Sequence, residues 1–144
     1  MWVVPLLPKI GVLRNNFSLT SIPEKFFECL KHDGIVAIGT CSAESKVHVV
    51  NTWNKYLIVT DDEKILMPAY GMICTEKNSK QNTYVEVTIG SSEVMGYRSM
   101  GTGFLLTGKA EFFKEGELFD RMKAKCDFTR RVLVFTPETC KQTL

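Results

Sequence analysis

From Gly34 onward, the chain alternates short β-branched runs with turn-like polar segments, and no long helical segment separates them. Residues 35–40 and 47–50 are two such runs, and the Ser-Ala-Glu-Ser at residues 42–45 between them predicts a hairpin. Neighbouring parallel strands need crossover connections of a dozen or more residues, which are usually helical. The pattern therefore predicts a mainly β protein of six or seven antiparallel strands with two or three short helices, and closure into a barrel fits it best.

One helix and three strands are predicted before residue 70. Ser21 and Glu24 have the spacing of a capping box, apolar residues follow at helical spacing, and Gly34 is the predicted helix stop. The strands are predicted at residues 35–40, 47–59 and 64–67. Pro68 has no N–H to donate, so we expect it to end the third strand and to begin a loop.

The rest of the chain is predicted to contain two more helices and three more strands. The helices are predicted at residues 75–82, with Thr75 as N-cap, and at residues 117–125. The strands are predicted at residues 84–89, 104–113 and 131–135. A turn is predicted at residues 90–92 and a glycine-rich loop at residues 96–103.

The chain length of 144 residues fits one domain, and no repeat or linker divides it. We expect an accessory segment at residues 1–20, packed on the domain or on a partner subunit, followed by one domain at residues 21–144. A vector-encoded or misassigned start is the alternative for the first segment. That segment is apolar, but two prolines interrupt it well short of the length of a membrane span.

Charge and cysteine content argue against several classes of protein. The net charge is +2 and no basic run exceeds two residues, which argues against a nucleic-acid binder. Five widely spaced cysteines without a C-x-x-C pair argue against a disulfide framework and a structural zinc site, and favour a reducing cytoplasm. The two histidines have no spacing typical of a metal site or a catalytic triad. We therefore expect a cytoplasmic protein with a small-molecule ligand, no metal, no membrane contact and no assigned catalytic residue.

Two neighbouring segments carry a resemblance to a known family. Residues 50–56 read Val-Asn-Thr-Trp-Asn-Lys-Tyr, and residues 65–75 read Ile-Leu-Met-Pro-Ala-Tyr-Gly-Met-Ile-Cys-Thr. They resemble the cofactor-cradling hairpin of the small bacterial FMN-binding proteins of the pyridoxamine 5′-phosphate oxidase-like superfamily, and the likeness runs from about Phe26 to the carboxyl terminus. The resemblance implies a six-stranded antiparallel Greek-key split β-barrel that forms a homodimer with FMN at the subunit interface.

The resemblance also implies which residues contact FMN. They are Asn51, Thr52, Trp53, Pro68, Ala69, Tyr70, Gly71, Cys74, Thr75, Lys77, Gly101, Thr102, Gly103 and Phe128. In this assignment the main chain of residues 68–71 lies along the flavin ring, and residues 101–103 reach the site from the second subunit. Each segment also has a plainer interpretation: ordinary strand positions at 51–52, core packing for Trp53 and Phe128, and a β-turn at 68–71.

The phosphate end departs from the family pattern at one position. Thr75 matches a threonine that follows a lysine in the relatives, and Cys74 occupies that lysine position here. The departure implies weaker binding or another cation in its place, for which Lys77 and Lys80 are candidates. A solvated helix face is the alternative interpretation of these lysines.

Three functions fit such a site. The first is a flavoprotein that transfers electrons to an unidentified redox partner, with the bound FMN as the redox group. The second is an NAD(P)H-dependent flavin oxidoreductase, and the third is a non-catalytic FMN-binding store or sensor. The arginines Arg98, Arg130 and Arg131 form no recognisable second phosphate cluster, which argues against an oxidase acting on pyridoxamine 5′-phosphate.

Overall fold

A seven-stranded antiparallel sheet forms the body of the protein in a computed structural model that describes residues 21–144. The strands are β1 (Ile35–Cys41), β2 (Val47–Trp53), β3 (Ile58–Val59), β4 (Ile65–Ala69), β5 (Val85–Met95), β6 (Met100–Phe113) and β7 (Arg131–Gln142). The α-helices are α1 (Glu24–Leu30), α2 (Ile73–Gln81) and α3 (Glu117–Lys125). The accessory segment predicted at residues 1–20 lies outside the described residues.

The strand order is β2-β1-β5-β6-β7-β4-β3, and every paired neighbour is antiparallel. The predicted mainly β class is therefore confirmed, as is the β1–β2 hairpin, whose register runs from Ile35 opposite Trp53 to Cys41 opposite Val47. The strand count is seven rather than six, because the two-residue β3 is separate from β2. Among the described residues, no helix is long and apolar enough to cross a membrane.

The main core lies inside the curled sheet and beneath α1. Val36 and Ile38 of β1 point inward and are fully buried, as the alternation of a strand requires. Phe26 of α1 packs edge-on against Phe104 of β6 with ring centroids 5.7 Å apart, so α1 covers one end of the barrel. A smaller core lies between α3 and strands β4 and β7, where Met122 is fully buried.

The start and stop predicted for α1 are wrong. Its N-cap is Pro23, and no side chain caps it, so the Ser21–Glu24 box does not form. The main-chain N–H of Ile22 instead donates to Oε2 of Glu63 at 3.0 Å, which fixes the entry of the chain. Gly34 allows a close approach instead of stopping the helix. A Cβ there would lie 2.5 Å from Asn54 Nδ2 and closer still to the Gly90 carbonyl.

The second strand does not continue to residue 59 as predicted. It ends at Trp53, and a single 3₁₀ turn at Asn54–Tyr56 carries the chain to β3. Asn54 causes the break, because its buried Nδ2 donates to the carbonyls of Cys29 at 3.1 Å, Gly90 at 3.1 Å and His32 at 3.3 Å. These hydrogen bonds tie the 3₁₀ turn to α1 and β5, and no local sequence pattern predicts them.

Pro68 does not end β4. The strand continues to Ala69, and Pro68 lies opposite Val132 of β7. The Arg130 N–H donates to the Ala69 carbonyl at 3.0 Å, so Ala69 faces β7 and the adjacent Pro68 directs its nitrogen to the other side. Because β3 pairs only at Ile65 and Leu66, that side is open at Pro68, and the missing N–H breaks no ladder.

Three further boundaries differ from the predictions. Helix α2 begins at Ile73, so Thr75 lies within its first turn and is not the N-cap. Residues 90–92 continue β5, because a glycine at 90 lets the chain pass close to the Thr102 carbonyl, which a Cβ would approach to 2.8 Å. Residues 101–103 belong to β6, and the turn is confined to residues 96–99.

The last strand extends beyond its predicted end, whereas the predicted bounds of α3 are confirmed. Strand β7 runs on to Gln142, which pairs with Phe104. Pro137 is accommodated at an irregularity of the β6–β7 ladder near Gly108. Long-range pairing therefore lengthened a strand whose second half has no apolar periodicity of its own.

Candidate functional site

The predicted site residues before residue 78 lie at the two ends of the sheet. Asn51, Thr52 and Trp53 are on β2, which forms one end, while Pro68 and Ala69 are on β4, next to β3 at the other end. The 3₁₀ turn joins the two ends directly, and α2, which follows β4, packs against both β1 and β2. The Nδ2 of Asn78 in α2 donates to Thr40 Oγ1 of β1 at 3.1 Å. The fold thus brings both segments to one opening of the barrel.

The connection from β4 to α2 is the most unusual backbone at this opening. Met72 is the helix N-cap and has a left-handed conformation with φ of 59°, which costs free energy for a residue with a side chain. No side chain of the described residues caps the helix. The first main-chain N–H groups of α2 therefore have no acceptor within the helix and carry its positive end.

Thr75 and Arg131 each place an unsatisfied polar atom at this helix start. Thr75 is fully buried, and its Oγ1 has no hydrogen-bond partner among the described residues. Nη1 of Arg131 is also buried without a hydrogen bond, although it lies 3.1 Å from Oε1 of Glu76. The distance makes an ion pair, but the atoms are not aligned for a hydrogen bond. Buried polar atoms without partners are rare and point to an absent ligand or water.

Arg131 was not among the predicted site residues. Its Nη2 donates to the carbonyls of Gly71 and, at 3.4 Å, Tyr70, and its guanidinium lies 5.5 Å from the centre of the Phe112 ring. The sequence signal was the Arg130-Arg131 pair at the start of the last strand. Pairing of β7 with β4 is what brings that pair to the start of α2.

Arg130 and Tyr70 form the exposed rim of the same loop. The Arg130 guanidinium lies 4.2 Å from the centre of the Tyr70 ring, and its Nη2 donates to the Tyr70 hydroxyl at 3.2 Å. A cation over an aromatic face is a stable arrangement that restrains both side chains. Tyr70 is 56% exposed, so this pair is accessible to a ligand.

An aromatic wall lies beside the 3₁₀ turn. Trp53 is 51% exposed and Phe128 is 38% exposed, so the alternative of core packing is wrong for both. Phe128 packs edge-on against Tyr56 at 5.3 Å, and adjoining clefts of about 310 and 460 Å³ share Lys55 and Tyr56 in their walls. Asp33, 2.7 Å from the Lys55 amine, raises the pKa of Lys55, so that amine stays protonated beside the wall.

Residues 101–103 lie away from Arg131 and the start of α2 within one chain. Thr102 Oγ1 donates to the Leu144 carbonyl at 2.8 Å and accepts a hydrogen bond from Gln142 Nε2 at 3.1 Å, so Thr102 holds the end of the chain. Phe112, on the same strand, is beside Arg131. Ten residues of strand separate Thr102 from Phe112, which corresponds to about 33 Å of strand length. Within one chain this segment is therefore distant from the start of α2, although Gly103 lies opposite Gly90, whose carbonyl accepts from Asn54 Nδ2.

The predicted cations at α2 are loosely placed. Lys77 is exposed, and Lys80 pairs with Oε2 of Glu76 at 3.4 Å. Cys74 is exposed, with its Sγ 3.8 Å from Asn78 Nδ2. The described residues contain no cluster of three or more metal-ligating side chains.

Comparisons with known proteins agree on one family. The family model for pyridoxamine 5′-phosphate oxidase matches residues 22–144. A protein named "FMN-binding protein" from Nitratidesulfovibrio vulgaris (strain DSM 19637 / Miyazaki F) is 43% identical over 123 residues, covering 85% of this chain and 99% of the relative.

Solved structures share the fold at lower identity. The HupZ protein of Group A Streptococcus has a TM-score of 0.67 at 14% identity, covering 83% of this chain and 92% of its own. An FMN-binding protein from Syntrophomonas wolfei has a TM-score of 0.63 at 20% identity, covering 76% of each chain. The family match over residues 22–144 and the 43% identical relative together show that this chain belongs to the pyridoxamine 5′-phosphate oxidase family.

Proposed function

We propose that the protein binds FMN at the β4–α2 junction and uses it for electron transfer. The observation that carries the proposal is the pair of buried donors without acceptors, Thr75 Oγ1 and Arg131 Nη1, beside the uncapped start of α2. A phosphate supplies several strong acceptor oxygens and a negative charge, which suits such a set of donors. The residues present therefore fit the phosphate of FMN.

The remaining groups suit the flavin ring. The edge of β4 that faces away from β7 has no described strand beside it at Pro68, and the loop after Ala69 exposes main chain to a planar ligand. The half-exposed Trp53 offers an apolar surface on the other side of the opening. A mostly apolar pocket with a few fixed polar groups is typical of cofactor sites. The 43% identical relative bears the name of an FMN-binding protein, which supports the same ligand.

A second copy of the chain is proposed to complete the site. Val47, Val49 and Trp53 alternate along β2 and are all exposed, and the exposed Ile35 lies opposite Trp53 on the same face. The exposed Asn51 lies between Val49 and Trp53 on this face, and a mainly apolar exposed face of this kind is typical of a protein–protein contact. In a homodimer formed there, residues 101–103 of one subunit are proposed to face the flavin of the other.

The proposed chemistry needs little from the side chains. Bound FMN supplies the redox chemistry by accepting and donating electrons. The chain binds the phosphate, orients the ring and limits access of water to it. Among the described residues, His32 is the histidine beside a carboxylate, 3.6 Å from Glu93 in a partly exposed pair, and it lies on the α1 side of the barrel away from α2. In the part of the chain that the structure describes, the charged pairs at the opening are the ion pairs of Asp33 with Lys55 and of Glu76 with Arg131 and Lys80, and none includes a histidine, which favours electron transfer over a dedicated substrate oxidase.

The test is the visible spectrum of the purified protein, followed by heat release and identification of the chromophore. FMN at one equivalent per chain is expected, as is restoration by added FMN after its removal. A colourless protein that takes up no added FMN would sink the proposal. Rapid-mixing reduction by NADH or NADPH then separates an electron-transfer protein, which responds slowly, from an NAD(P)H-dependent oxidoreductase.

Two substitutions test the proposed site, one for the position of the phosphate and one for the dimer. Thr75→Val keeps the side-chain shape and removes one proposed phosphate donor, so FMN binding should weaken by about tenfold, the effect of one charge-assisted hydrogen bond. Unchanged FMN affinity in Thr75→Val contradicts the placement of the phosphate.

Val49→Asp tests the dimer, because a charge on the apolar face should yield monomers in sedimentation while the fold persists.

A further inference from the structure

We propose that Arg131 supplies the fixed positive charge for the ligand's phosphate, and that Glu76 competes with the phosphate for that charge. The inference rests on the FMN site proposed above and identifies what sets its affinity. It concerns Glu76 in the first turn of α2 and Arg131 at the start of β7, which the fold brings together although they are far apart in sequence.

The position of the Arg131 guanidinium is determined by three neighbours. Nη2 donates to main-chain carbonyls on the amino-terminal side of α2, at Tyr70 and Gly71, and Nη1 lies 3.1 Å from Glu76 within the helix. The guanidinium therefore spans the helix start from one side to the other. With 8% of its side chain exposed, it cannot reorient freely, so its charge is delivered at a fixed place.

Nη1 has unused donor capacity. It carries two N–H groups and makes no hydrogen bond to the described residues, despite the nearby carboxylate. A buried guanidinium nitrogen that relies on a poorly aligned ion pair gains by accepting a better placed anion. A phosphate at the first N–H groups of α2 would provide one.

Glu76 has another partner available. Its Oε2 lies 3.4 Å from the amine of Lys80, and Lys80 is mostly exposed. The carboxylate can therefore turn toward Lys80 when a phosphate takes its place at Arg131, without becoming an unpaired buried charge. Because Lys80 can hold the Glu76 carboxylate, a phosphate can replace that carboxylate at Arg131.

The other nearby cations are less suited to this role. Lys77 is exposed, so water screens its charge. The Arg130 guanidinium is held over the exposed Tyr70 ring by a hydrogen bond to its hydroxyl. Only Arg131 among these is both buried and in contact with the first turn of α2.

The experiment compares FMN with riboflavin, which has the same ring and lacks the phosphate, by fluorescence titration of flavin-free protein. Glu76→Gln keeps the side-chain shape and removes the competing charge, so FMN should bind at least about tenfold more tightly while riboflavin binding is unchanged. Arg131→Met should weaken FMN by about tenfold or more and leave riboflavin unchanged. Arg131→Lys should fall between, since lysine keeps the charge without the fork of donors. Lys31→Gln, at the exposed residue that follows α1, is the matched control and should stay within about twofold of the parent.

The outcomes separate this inference from the proposed function. If the parent protein binds neither flavin, the FMN proposal fails. If it binds FMN but Glu76→Gln binds FMN no more tightly, the competition is refuted even when Arg131→Met does not fold. If Arg131→Met folds, as judged by circular dichroism, and keeps the parent preference for FMN over riboflavin, Arg131 is not the phosphate cation.

Discussion

Replacing Asn54 with alanine is expected to destabilise the fold by about 2 kcal/mol, because its buried amide donates to main-chain carbonyls of segments distant in sequence. Nδ2 lies 3.1 Å from the carbonyls of Cys29 and Gly90 and 3.3 Å from that of His32. The amide has two hydrogens, so two hydrogen bonds are lost. The loss at the Gly90 carbonyl costs about 2 kcal/mol, and the loss at the Cys29 carbonyl, which still accepts from the His32 N–H at 3.1 Å, costs about 1 kcal/mol. Asn54 Oδ1 is itself buried without a partner, so its removal recovers about 1 kcal/mol.

The measurement is urea denaturation of the flavin-free protein, followed by circular dichroism at one protein concentration because association would shift the midpoint. Asn51→Ala is the matched control. Asn51 is exposed on β2, the strand that precedes the 3₁₀ turn, and its loss should change the free energy of unfolding by less than about 0.5 kcal/mol. Asn54→Asp should be worse than Asn54→Ala, because it directs a carboxylate oxygen at the same carbonyls. A loss below about 1 kcal/mol for Asn54→Ala would refute the reasoning.

Gly34→Ala should lower the free energy of unfolding by about 2 kcal/mol, because the added Cβ would meet main chain and a buried amide. Gly71→Ala is the control and should change the free energy of unfolding little, because an added Cβ would meet nothing within 4 Å. Urea denaturation measures both effects. Burial raises the pKa of the Cys140 thiol to about 11 from an ordinary value of 9.0, so folding favours the protonated form. That contribution is complete below pH 9 and disappears between pH 9 and about 11. Unfolding free energies across this range should therefore fall more steeply for the parent than for Cys140→Ala. In a Trp2→Phe variant, the fluorescence of Trp53 should be quenched as FMN is added, and unchanged emission at saturation would place the flavin elsewhere.

Patterns local in the sequence predicted the class of the fold and several of its elements. The β-branched runs at residues 35–40 and 47–50 predicted the first hairpin, and the amphipathic pattern at residues 117–125 predicted α3 with its observed bounds. Such patterns succeed because a strand of period 2 and a helix of period 3.6 must each bury one face.

Local signals failed where a distant partner determined the conformation. The break after Trp53 depends on carbonyls that are distant in sequence from Asn54, and the continuation of β4 through Pro68 depends on an open edge that exists only in the folded sheet. The local pattern likewise predicts Gly34 as a helix stop, yet its lack of a side chain instead permits close contact with the Gly90 main chain. In each case tertiary packing overrode a propensity worth only about 1 kcal/mol.

The sequence by itself determined an antiparallel β protein of this family and predicted the segments that a flavin would meet. Only the tertiary structure brought Arg131 to the start of α2, 60 residues from its Gly71 acceptor, and left Thr75 Oγ1 and Arg131 Nη1 buried without partners. The physical reason is that helix and strand periods depend on neighbouring residues. Whether a buried polar atom finds a partner depends instead on every chain segment that packs around it.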